Sequence, residues 1–398
     1  MEKLKPQSQD MLHLDAMRFF AASAIVFLHW KTYCKPIPGH NILPNPESFL
    51  SLAVDLFFLI SGVVMFQVYS RRLYSWRDFG SFMQRRVARL YPLHLLTLSV
   101  SMMYGLGAYI LHLHANHPGL YKLDGVIPNI LLIQAFPVIH HGSFNGVAWS
   151  ISAEMGCYVS LPAALVLYRR RWWAPALLGL ATATAFTLFW THGWEWTNAT
   201  YSYGFFRAIP TFFFGVALGG SGQVLRRIPY PNILFGIFAC GVFALGFMGA
   251  PHGILYLLVY LIGITGFACD VQGTAGRFIS AVAPLGQLTY SIYLIHGILE
   301  PSLFNFVYAR LQVSAWLRNS IIAATFVPMV MLAYLSFVYF ETPARRWVSG
   351  LGSKRTVRAE PLVAGHADAN GGEIASSANT LAATGQGSAL PVRRSACE

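Results

Sequence analysis

The sequence predicts an all-α fold, a polytopic integral membrane bundle of about ten transmembrane helices with both termini in the cytoplasm. Composition, the length of the apolar stretches and the distribution of basic residues predict it. Of the 398 residues, 55% are hydrophobic and only 11% are charged, and the mean hydropathy is +0.49. Soluble domains carry about 25% charged residues. A soluble chain of this length cannot bury so much apolar surface, so we predict that lipid surrounds it.

Ten apolar stretches are long enough, at about 18 residues or more, to cross roughly 30 Å of hydrocarbon as helices. They are 14–33, 48–69, 88–111, 145–168, 173–191, 203–220, 232–249, 253–270, 284–306 and 319–341. The first has no small-residue cleavage site after it, so we expect it to remain in the mature protein. The run 127–139 is shorter and is broken by two prolines, which predicts an interfacial or re-entrant part of a loop.

The orientation follows from the basic residues. With these spans, 19 Lys and Arg residues fall on the side of the N-terminus and five on the opposite side. Cytoplasmic loops carry the excess of Lys and Arg. We therefore predict cytoplasmic termini in the inner (cytoplasmic) membrane. The same asymmetry accounts for the net charge of +12 without a nucleic-acid partner.

Two parts are expected along the chain: a transmembrane domain over 1–349 and a disordered cytoplasmic tail over 350–398. The tail is rich in Gly, Ala, Ser, Thr and Asn and has no hydrophobic period. The five cysteines are isolated, which predicts no disulfide framework. No acidic or cysteine partner lies at ligand spacing from the loop histidines, so we predict no metal site.

The first span contains two titratable residues on one face. Arg18 and His29 are eleven positions apart, which is about 16 Å along a helix axis, and Asp15 lies one turn below Arg18. Titratable residues inside a span are costly and are functional candidates by default. The alternative for any single one is a bond that only joins neighbouring helices.

Three later spans add candidates at a similar depth. Asp55 lies in the second span, Glu154 in the fourth and His296 in the ninth. Together with His29 they fall about 15–23 Å above the cytoplasmic boundary. We expect these four side chains, from four helices, to meet in one buried polar chamber.

Arginines at the ends of other spans complete the set. Arg86 and Arg89, at the cytoplasmic end of the third span, share a helix face and can clamp phosphates; the alternative is a topology signal or contact with lipid head groups. Arg207, near the outer end of the sixth span, either faces an anionic or polar substrate or snorkels to the surface, and we favour snorkelling. Glu341, followed by Arg345 and Arg346, predicts a helix terminus with a local ion pair.

The combined motifs resemble the membrane acyltransferase family 3 over roughly residues 12–347. The motifs that carry the resemblance are Arg18-x10-His29, Asp55 with Phe57-Phe58 and Ser61-Gly62, Arg86-x2-Arg89 with Tyr91-Pro92, Trp149-Ser150-x-Ser152-x-Glu154, Tyr290-Ser291-x-Tyr293-Leu294-x-His296 and Glu341-x-Pro343. Each motif alone is weak, but six in order on a ten-span scaffold are specific.

The resemblance implies an acyl-CoA-dependent O-acyltransferase. Such an enzyme moves an acyl group, with acetyl expected, from cytoplasmic acyl-CoA to a hydroxyl of a glycan or similar acceptor, here with an exported polysaccharide as the leading expectation. No permanently bound cofactor is implied; acyl-CoA (acetyl-CoA) is a substrate. The expected partners are the lipid bilayer, the acceptor and a polysaccharide synthase complex.

A mechanism fits these residues. Arg86 and Arg89 hold the nucleotide phosphates, and the pantetheine arm follows the Arg18 face toward His29. His29 acts as a general base on the acceptor hydroxyl or carries the acyl group as an acyl-imidazole. A carboxylate, Asp55 or Glu154, orients its other ring nitrogen. The candidate donors to the developing oxyanion are Tyr290, Ser291 and His296.

Two other function classes also fit the buried charges. A proton-coupled transporter or exporter of a polysaccharide precursor would use them as a relay, although no inverted repeat is detectable. A non-catalytic partner of a polysaccharide synthesis complex would use them only to join helices. The sequence leaves open the acceptor, the acyl chain length, the side of acylation, the oligomeric state and the choice between direct transfer and an acyl-enzyme.

Overall fold

The computed structural model describes residues 11–34, 47–112, 118–190, 199–300, 303–304 and 313–350. Within these ranges the regular elements are helical and no strand is present. The prediction of an all-α fold is thereby confirmed for the described part of the chain. The tail beyond Gly350 lies outside the described residues, and its disorder stays a prediction.

Each predicted span contains an apolar helix. The helices are α1 (Leu12–Lys31), α2 (Ala53–Tyr69), α3 (Trp76–Ile110), α4 (Trp149–Arg170), α5 (Ala174–Trp190), α6 (Gly204–Gly219), α7 (Pro231–Phe247), α8 (His252–Gln272), α9 (Arg277–Leu299) and α10 (Ala315–Gly350). Among the described residues, six helices are long and apolar enough to cross a membrane (α1, α3, α4, α8, α9 and α10), and four apolar helices are shorter. The chain is a multi-pass membrane protein; ten crossings and cytoplasmic termini stay predictions.

Helices α2 and α6 approach each other closely at a pair of glycines. Gly62 of α2 faces Gly215 of α6, and a Cβ on either glycine would overlap backbone atoms of the opposite helix. Small residues permit this approach, which favours helix association in lipid. Phe58, Tyr158 and Phe212 pack around the contact in the largest hydrophobic core of the described residues.

The start of α1 is fixed by a carboxylate from α8. Asp270 accepts hydrogen bonds from the backbone N–H groups of His13 (2.8 Å) and Leu14 (3.1 Å), and it lies 2.9 Å from the His13 ring. Unpaired N–H groups at a helix N-terminus favour an anionic partner. The contact sets the position from which α1 carries Arg18 and His29.

The connection between α3 and α4 folds back onto the bundle. The predicted interfacial run 127–139 contains the end of a short helix, Val126–Leu131, and a left-handed turn at Leu132. Buried Asn129 donates to Ser143, and its carbonyl oxygen lies 2.8 Å from the His94 ring of α3. Whether this segment lies at the membrane interface stays a prediction.

Helix α10 contains a π-helical turn, Phe337–Glu341. A π turn holds one more residue than an α-helical turn and often occurs at functional sites. The turn ends at Glu341, which is 3% exposed. Arg345 and Arg346 follow on the last part of the same helix.

Candidate active site

An arginine-lined cavity of about 1010 Å³ opens between α1, α2, α3, α4, α9 and α10. Five arginines and three carboxylates line it, a formal excess of two positive charges. They are Arg18, Arg86, Arg89, Arg345, Arg346, Asp15, Glu154 and Glu341. We call this space the arginine cavity. It lies at the N-terminal end of α1, which is the predicted cytoplasmic side.

Arg18 is held by its own helix. Its Nη1 donates to Asp15 Oδ1 at 3.3 Å, and both side chains are largely buried. Because the residues are three positions apart, the pair lies on one face of α1. That face turns Arg18 into the cavity, which Asp15 also lines.

Arg86 and Arg89 both line the cavity but differ in their surroundings. The Arg86 guanidinium lies 5.3–5.6 Å from the ring centroids of Tyr69, Phe82 and Tyr158, and its Nη2 donates to the Tyr69 hydroxyl at 3.0 Å. Its Nε is buried and has no hydrogen-bond partner among the described residues. Cation–π contacts fix the side chain, while a donor remains for an anion inside the cavity.

Glu154, one of the two carboxylates predicted to orient His29, instead bonds to residues of α2 and α4. It accepts hydrogen bonds from Tyr158 at 2.5 Å and from Ser61 at 3.0 Å. Ser61 and Tyr158 also line the cavity, and the sequence reading gave neither a role. Tyr158 lies four residues after Glu154 on the same helix face, which is the signal that indicates this pair.

The predicted oxyanion donors of α9 already donate to protein atoms. The Tyr290 hydroxyl donates to the Leu90 carbonyl oxygen, and the Ser291 hydroxyl donates to Glu341 at 2.9 Å. Tyr290 lines the cavity, whereas Ser291 is fully buried outside its lining. Their part in stabilising an oxyanion therefore stays a prediction. Each hydroxyl would have to break its present hydrogen bond before it could donate to the oxyanion.

His29 and His296 form a pair, with ring centroids 5.1 Å apart. In each residue Nδ1 lies near a carbonyl oxygen one turn earlier: Ile25 at 2.8 Å for His29 and Ile292 at 3.2 Å for His296. A bond to a carbonyl requires the proton on Nδ1, so each neutral ring carries its lone pair on Nε2. The Nε2 of His296 is buried without a hydrogen-bond partner among the described residues.

Tyr293 separates this histidine pair from the arginine cavity. Its ring lies 5.6 Å from that of His296, and its hydroxyl accepts from Ser150 at 2.8 Å. Both Tyr293 and Ser150 line the cavity, whereas His29 and His296 do not. The predicted chamber is thus two adjoining regions with an aromatic side chain between them.

Asp55 lies in a separate ion pair, and the expectation that Arg207 snorkels is wrong. Arg207 and Asp55 are 1% and 0% exposed, with Nη2 2.7 Å from Oδ2 and Nε within 3.3 Å of both carboxylate oxygens. Arg207 also donates to the Ser51 carbonyl and lies 5.5 Å from the Trp149 ring. Burying an unpaired arginine costs free energy, and the ion pair with a carboxylate at similar depth offsets this cost. The predicted role of Asp55 beside His29 is replaced by this pair.

Arg345 and Arg346 were assigned only to a helix end by the sequence, yet both line the cavity. Their position depends on the π turn before them, which no hydropathy pattern reveals. Glu341 and Arg345 are four positions apart on one helix, a spacing that could have indicated a shared face. Among the described residues, no group of three or more His, Cys, Asp or Glu is arranged to hold a metal.

The chain is similar to known proteins over most of its length. The model of a family described as an acyltransferase domain matches residues 11–338. Acyltransferase MdmB of Streptomyces mycarofaciens is 32% identical over 195 residues, 45% of this chain and 46% of that protein. Protein 2 in the picA locus of Rhizobium radiobacter is 35% identical over 153 residues, 36% of this chain and 75% of that protein.

A third relative is more distant. Exopolysaccharide production protein ExoZ of Rhizobium meliloti (strain 1021) is 26% identical over 256 residues, 61% of this chain and 74% of that protein. The chain thus spans about half the length of MdmB and about three quarters of the other two. No solved structure shows a significant match.

Proposed function

The chain belongs to the acyltransferase family whose domain model covers residues 11–338, and from this membership we propose that it is an acyl-CoA-dependent O-acyltransferase of the inner membrane. The acyl group, with acetyl expected, passes from cytoplasmic acyl-CoA to a hydroxyl of an exported polysaccharide. The observation that carries the proposal is the arginine cavity beside the paired histidines. It supplies an anion-binding region and a basic nitrogen in adjoining spaces.

The arginine cavity suits the donor. Coenzyme A is polyanionic, and arginine pairs bidentately with phosphate oxygens. The cavity has more arginines than carboxylates, and the buried Nε of Arg86 has no hydrogen-bond partner among the described residues. Arg89, Arg345 and Arg346 would hold phosphates, with Arg86 fixed beside them by its aromatic neighbours.

The pantetheine arm would connect the two regions. Arg18 and His29 are about 16 Å apart along α1, so an extended arm entering beside Arg18 brings the thioester toward the histidines. Tyr293 lies on this path, and a change in its side-chain rotamer would open it. The thioester carbon would then lie next to His29 Nε2.

The histidine pair suits the transfer step. The acceptor hydroxyl gives its proton to Nε2 of His29, its oxygen bonds to the thioester carbon, and the carbon–sulfur bond breaks. The proton then passes to the departing thiolate, so atoms and charge balance. If the imidazole attacks first, the carbon–sulfur bond breaks as Nε2 takes the acyl group. In a second step the acceptor oxygen bonds to the acyl carbon and expels the imidazole, and the hydroxyl proton passes to the released thiolate. His296 borders the same space and can receive a hydrogen bond from the acceptor.

The choice of a glycan acceptor is supported by the name of one relative, an exopolysaccharide production protein. On this proposal the protein works beside a polysaccharide synthase complex, which presents the growing chain. We assign the chemistry to the 1–349 domain, and termini in the cytoplasm would put the arginine cavity on the side where acyl-CoA is made.

The test is acyl transfer by membranes that contain the protein. Membranes are incubated with labelled acetyl-CoA and with surface glycan extracted from the deletion strain. Wild-type membranes should place alkali-labile label on the glycan, and His29→Ala membranes with equal protein content should not. Glycan flux without label would identify an exporter instead. Equal labelling by His29→Ala would remove the histidine pair from the mechanism.

A further inference from the structure

One face of α9 connects the arginine cavity with the opposite end of the bundle. Tyr293, His296, Gly297 and Glu300 are spaced i, i+3, i+4 and i+7, which places them in one stripe about 10 Å long. Glu300 follows the last residue of α9 with helical backbone angles, so the stripe continues through it. Tyr293 borders the cavity at one end, and Glu300 is partly exposed at the other.

Helix α1 and the turn that follows it contribute a matching residue at each level. The His29 ring lies beside His296, and Tyr33, two residues past the end of α1, donates to Glu300 Oε1 at 3.1 Å. The Tyr33 ring also packs against Phe304, with centroids 5.2 Å apart. The Tyr33–Glu300 contact therefore lies about 6 Å beyond the histidine pair, on the side away from the arginines.

A buried amide completes the stripe. Asn145 is 2% exposed, and its Nδ2 donates to the Leu294 carbonyl oxygen of α9 at 3.1 Å, which fixes the direction of the amide. Its Oδ1 lies against Gly297, where a Cβ would overlap it. That oxygen has no hydrogen-bond partner among the described residues, and the same holds for Nε2 of His296.

Three polar atoms along the stripe share one chemical character. Asn145 Oδ1, His296 Nε2 and the Glu300 carboxylate are all hydrogen-bond acceptors. Buried acceptors without partners are costly, so a ligand that supplies donors is favoured. Neutral hydroxyl groups supply such donors, whereas an ionised phosphate or carboxylate group brings negative charge toward the Glu300 carboxylate. Burial and the Glu300 charge also raise the pKa of Tyr201 in the adjoining loop to about 12, consistent with a carboxylate field there.

We propose that Glu300, Asn145 and His296 form a binding site for a neutral polyhydroxylated acceptor, a sugar unit, which enters from the end of the bundle opposite to the arginine cavity. This inference rests on the proposed function and adds the acceptor site to it. Tyr33 positions the Glu300 carboxylate from the turn after α1. The acceptor and the donor would then meet at the histidine pair from opposite directions.

The test compares Glu300→Gln with Asp124→Asn, a control that removes an exposed loop carboxylate outside the stripe. Each variant is returned to the deletion strain, and the acyl content of the surface glycan is measured by mass spectrometry. Acetyl-CoA binding to the purified protein in detergent is measured by calorimetry. Glu300→Gln should lower glycan acylation at least about tenfold, the cost of one charged hydrogen bond, and leave donor affinity within about twofold. Asp124→Asn should change neither quantity.

Tyr33→Phe gives a milder second variant, because it keeps the ring contact with Phe304 and removes only the hydroxyl that meets Glu300. It should reduce acylation about threefold to tenfold with unchanged donor binding. Normal acylation in Glu300→Gln, or a parallel loss of donor affinity, would overturn the acceptor site while leaving the enzyme assignment standing. Absence of acylation in the wild type as well would overturn the proposed function and this site together.

Discussion

Two regions of this bundle hold arginine in an apolar environment, and they differ in how the charge is balanced. In the Asp55–Arg207 pair one carboxylate faces one guanidinium, both are almost fully buried, and further partners come from Ser51 and Trp149. In the arginine cavity five guanidinium groups share three carboxylates around a space of about 1010 Å³.

This difference in charge balance distinguishes an arginine that holds helices together from arginines that are available to bind a ligand. The balanced pair joins helices α2 and α6, and neither of its residues lines the arginine cavity. An unbalanced group around a cavity gains stability when an anion enters. Charge balance and space, rather than the presence of a buried arginine, indicate which residues serve binding.

The largest effect is expected from breaking the balanced pair. Arg207→Ala leaves the Asp55 carboxylate buried without its partner, which should cost about 3–5 kcal/mol of stability. The melting temperature of the detergent-solubilised protein should fall sharply, and the yield in membranes with it. Asp55→Leu combined with Arg207→Leu should recover much of the loss. An unchanged melting temperature in Arg207→Ala would show that the pair does not hold the helices.

The next largest effect should appear at the histidine pair, and only in activity. His29→Ala should lower acyl transfer by about 10²–10⁴-fold, the usual contribution of a general base. Its melting temperature should stay close to that of the wild type, because the ring is only partly buried. His29→Gln, which keeps a polar side chain of similar size, serves as the control for packing. A fall in melting temperature as large as that of Arg207→Ala would show that His29 holds the helices together, as Arg207 does.

Within the arginine cavity, Arg89→Gln and Arg86→Gln should differ. Arg89→Gln should raise the KM for acetyl-CoA about tenfold at unchanged stability, since it removes one charged hydrogen bond to the donor. Arg86→Gln should also lower the melting temperature, because the guanidinium packs against three aromatic rings. Steady-state kinetics and thermal melts measure both. Equal melting temperatures for the two variants would show that Arg86 and Arg89 do not differ in their structural role.

The smallest effect concerns an exposed pair in the loop between α3 and α4. A hydrogen bond to the Gly142 carbonyl, followed by one to Asp124, raises the pKa of His141. The pair therefore stabilises the loop fully below the unfolded histidine value of about 6.5 and loses this effect as the pH rises through the raised pKa.

Limited proteolysis of the purified protein tests whether the loop becomes less stable as the pH rises. Cleavage of the loop should be slower at pH 6 than at pH 8.5 in the wild type, after correction with an unrelated substrate of the same protease. Asp124→Asn should reduce the difference. A loop that is cleaved faster at pH 6 would contradict the pair.

The sequence predicted the helices well because their signal is local. Apolar length alone located ten helices to within a few residues at most ends, although α3 begins at Trp76, well before the predicted 88. That extension is a polar helical segment with a capping box at Ser75 and Asp78, which a hydropathy criterion cannot include. The spacing of Arg18 and His29 on one face was also recoverable, since helix geometry fixes it.

Pairing between helices was not recoverable in the same way. Depth placed Asp55, Glu154, His29 and His296 in one layer, yet Asp55 faces Arg207 and Glu154 faces Tyr158. Depth gives one coordinate of a side chain, whereas its partner depends on the rotation and neighbours of each helix. The Asn145 amide was missed for the same reason, because nothing near it in the sequence shows that it meets Gly297.

The π turn at Phe337–Glu341 has a consequence for how this protein can change over time. Each residue added to or removed from a helix rotates everything after it by about 100°, so deleting one residue of the turn would swing Arg345 and Arg346 away from the cavity. Arg345 and Arg346 would both still be present, and the hydropathy of the segment would hardly change. A single codon gained or lost in this stretch can therefore remove two guanidinium groups from the cavity, a change in its charge that comparisons of residue identity alone would overlook.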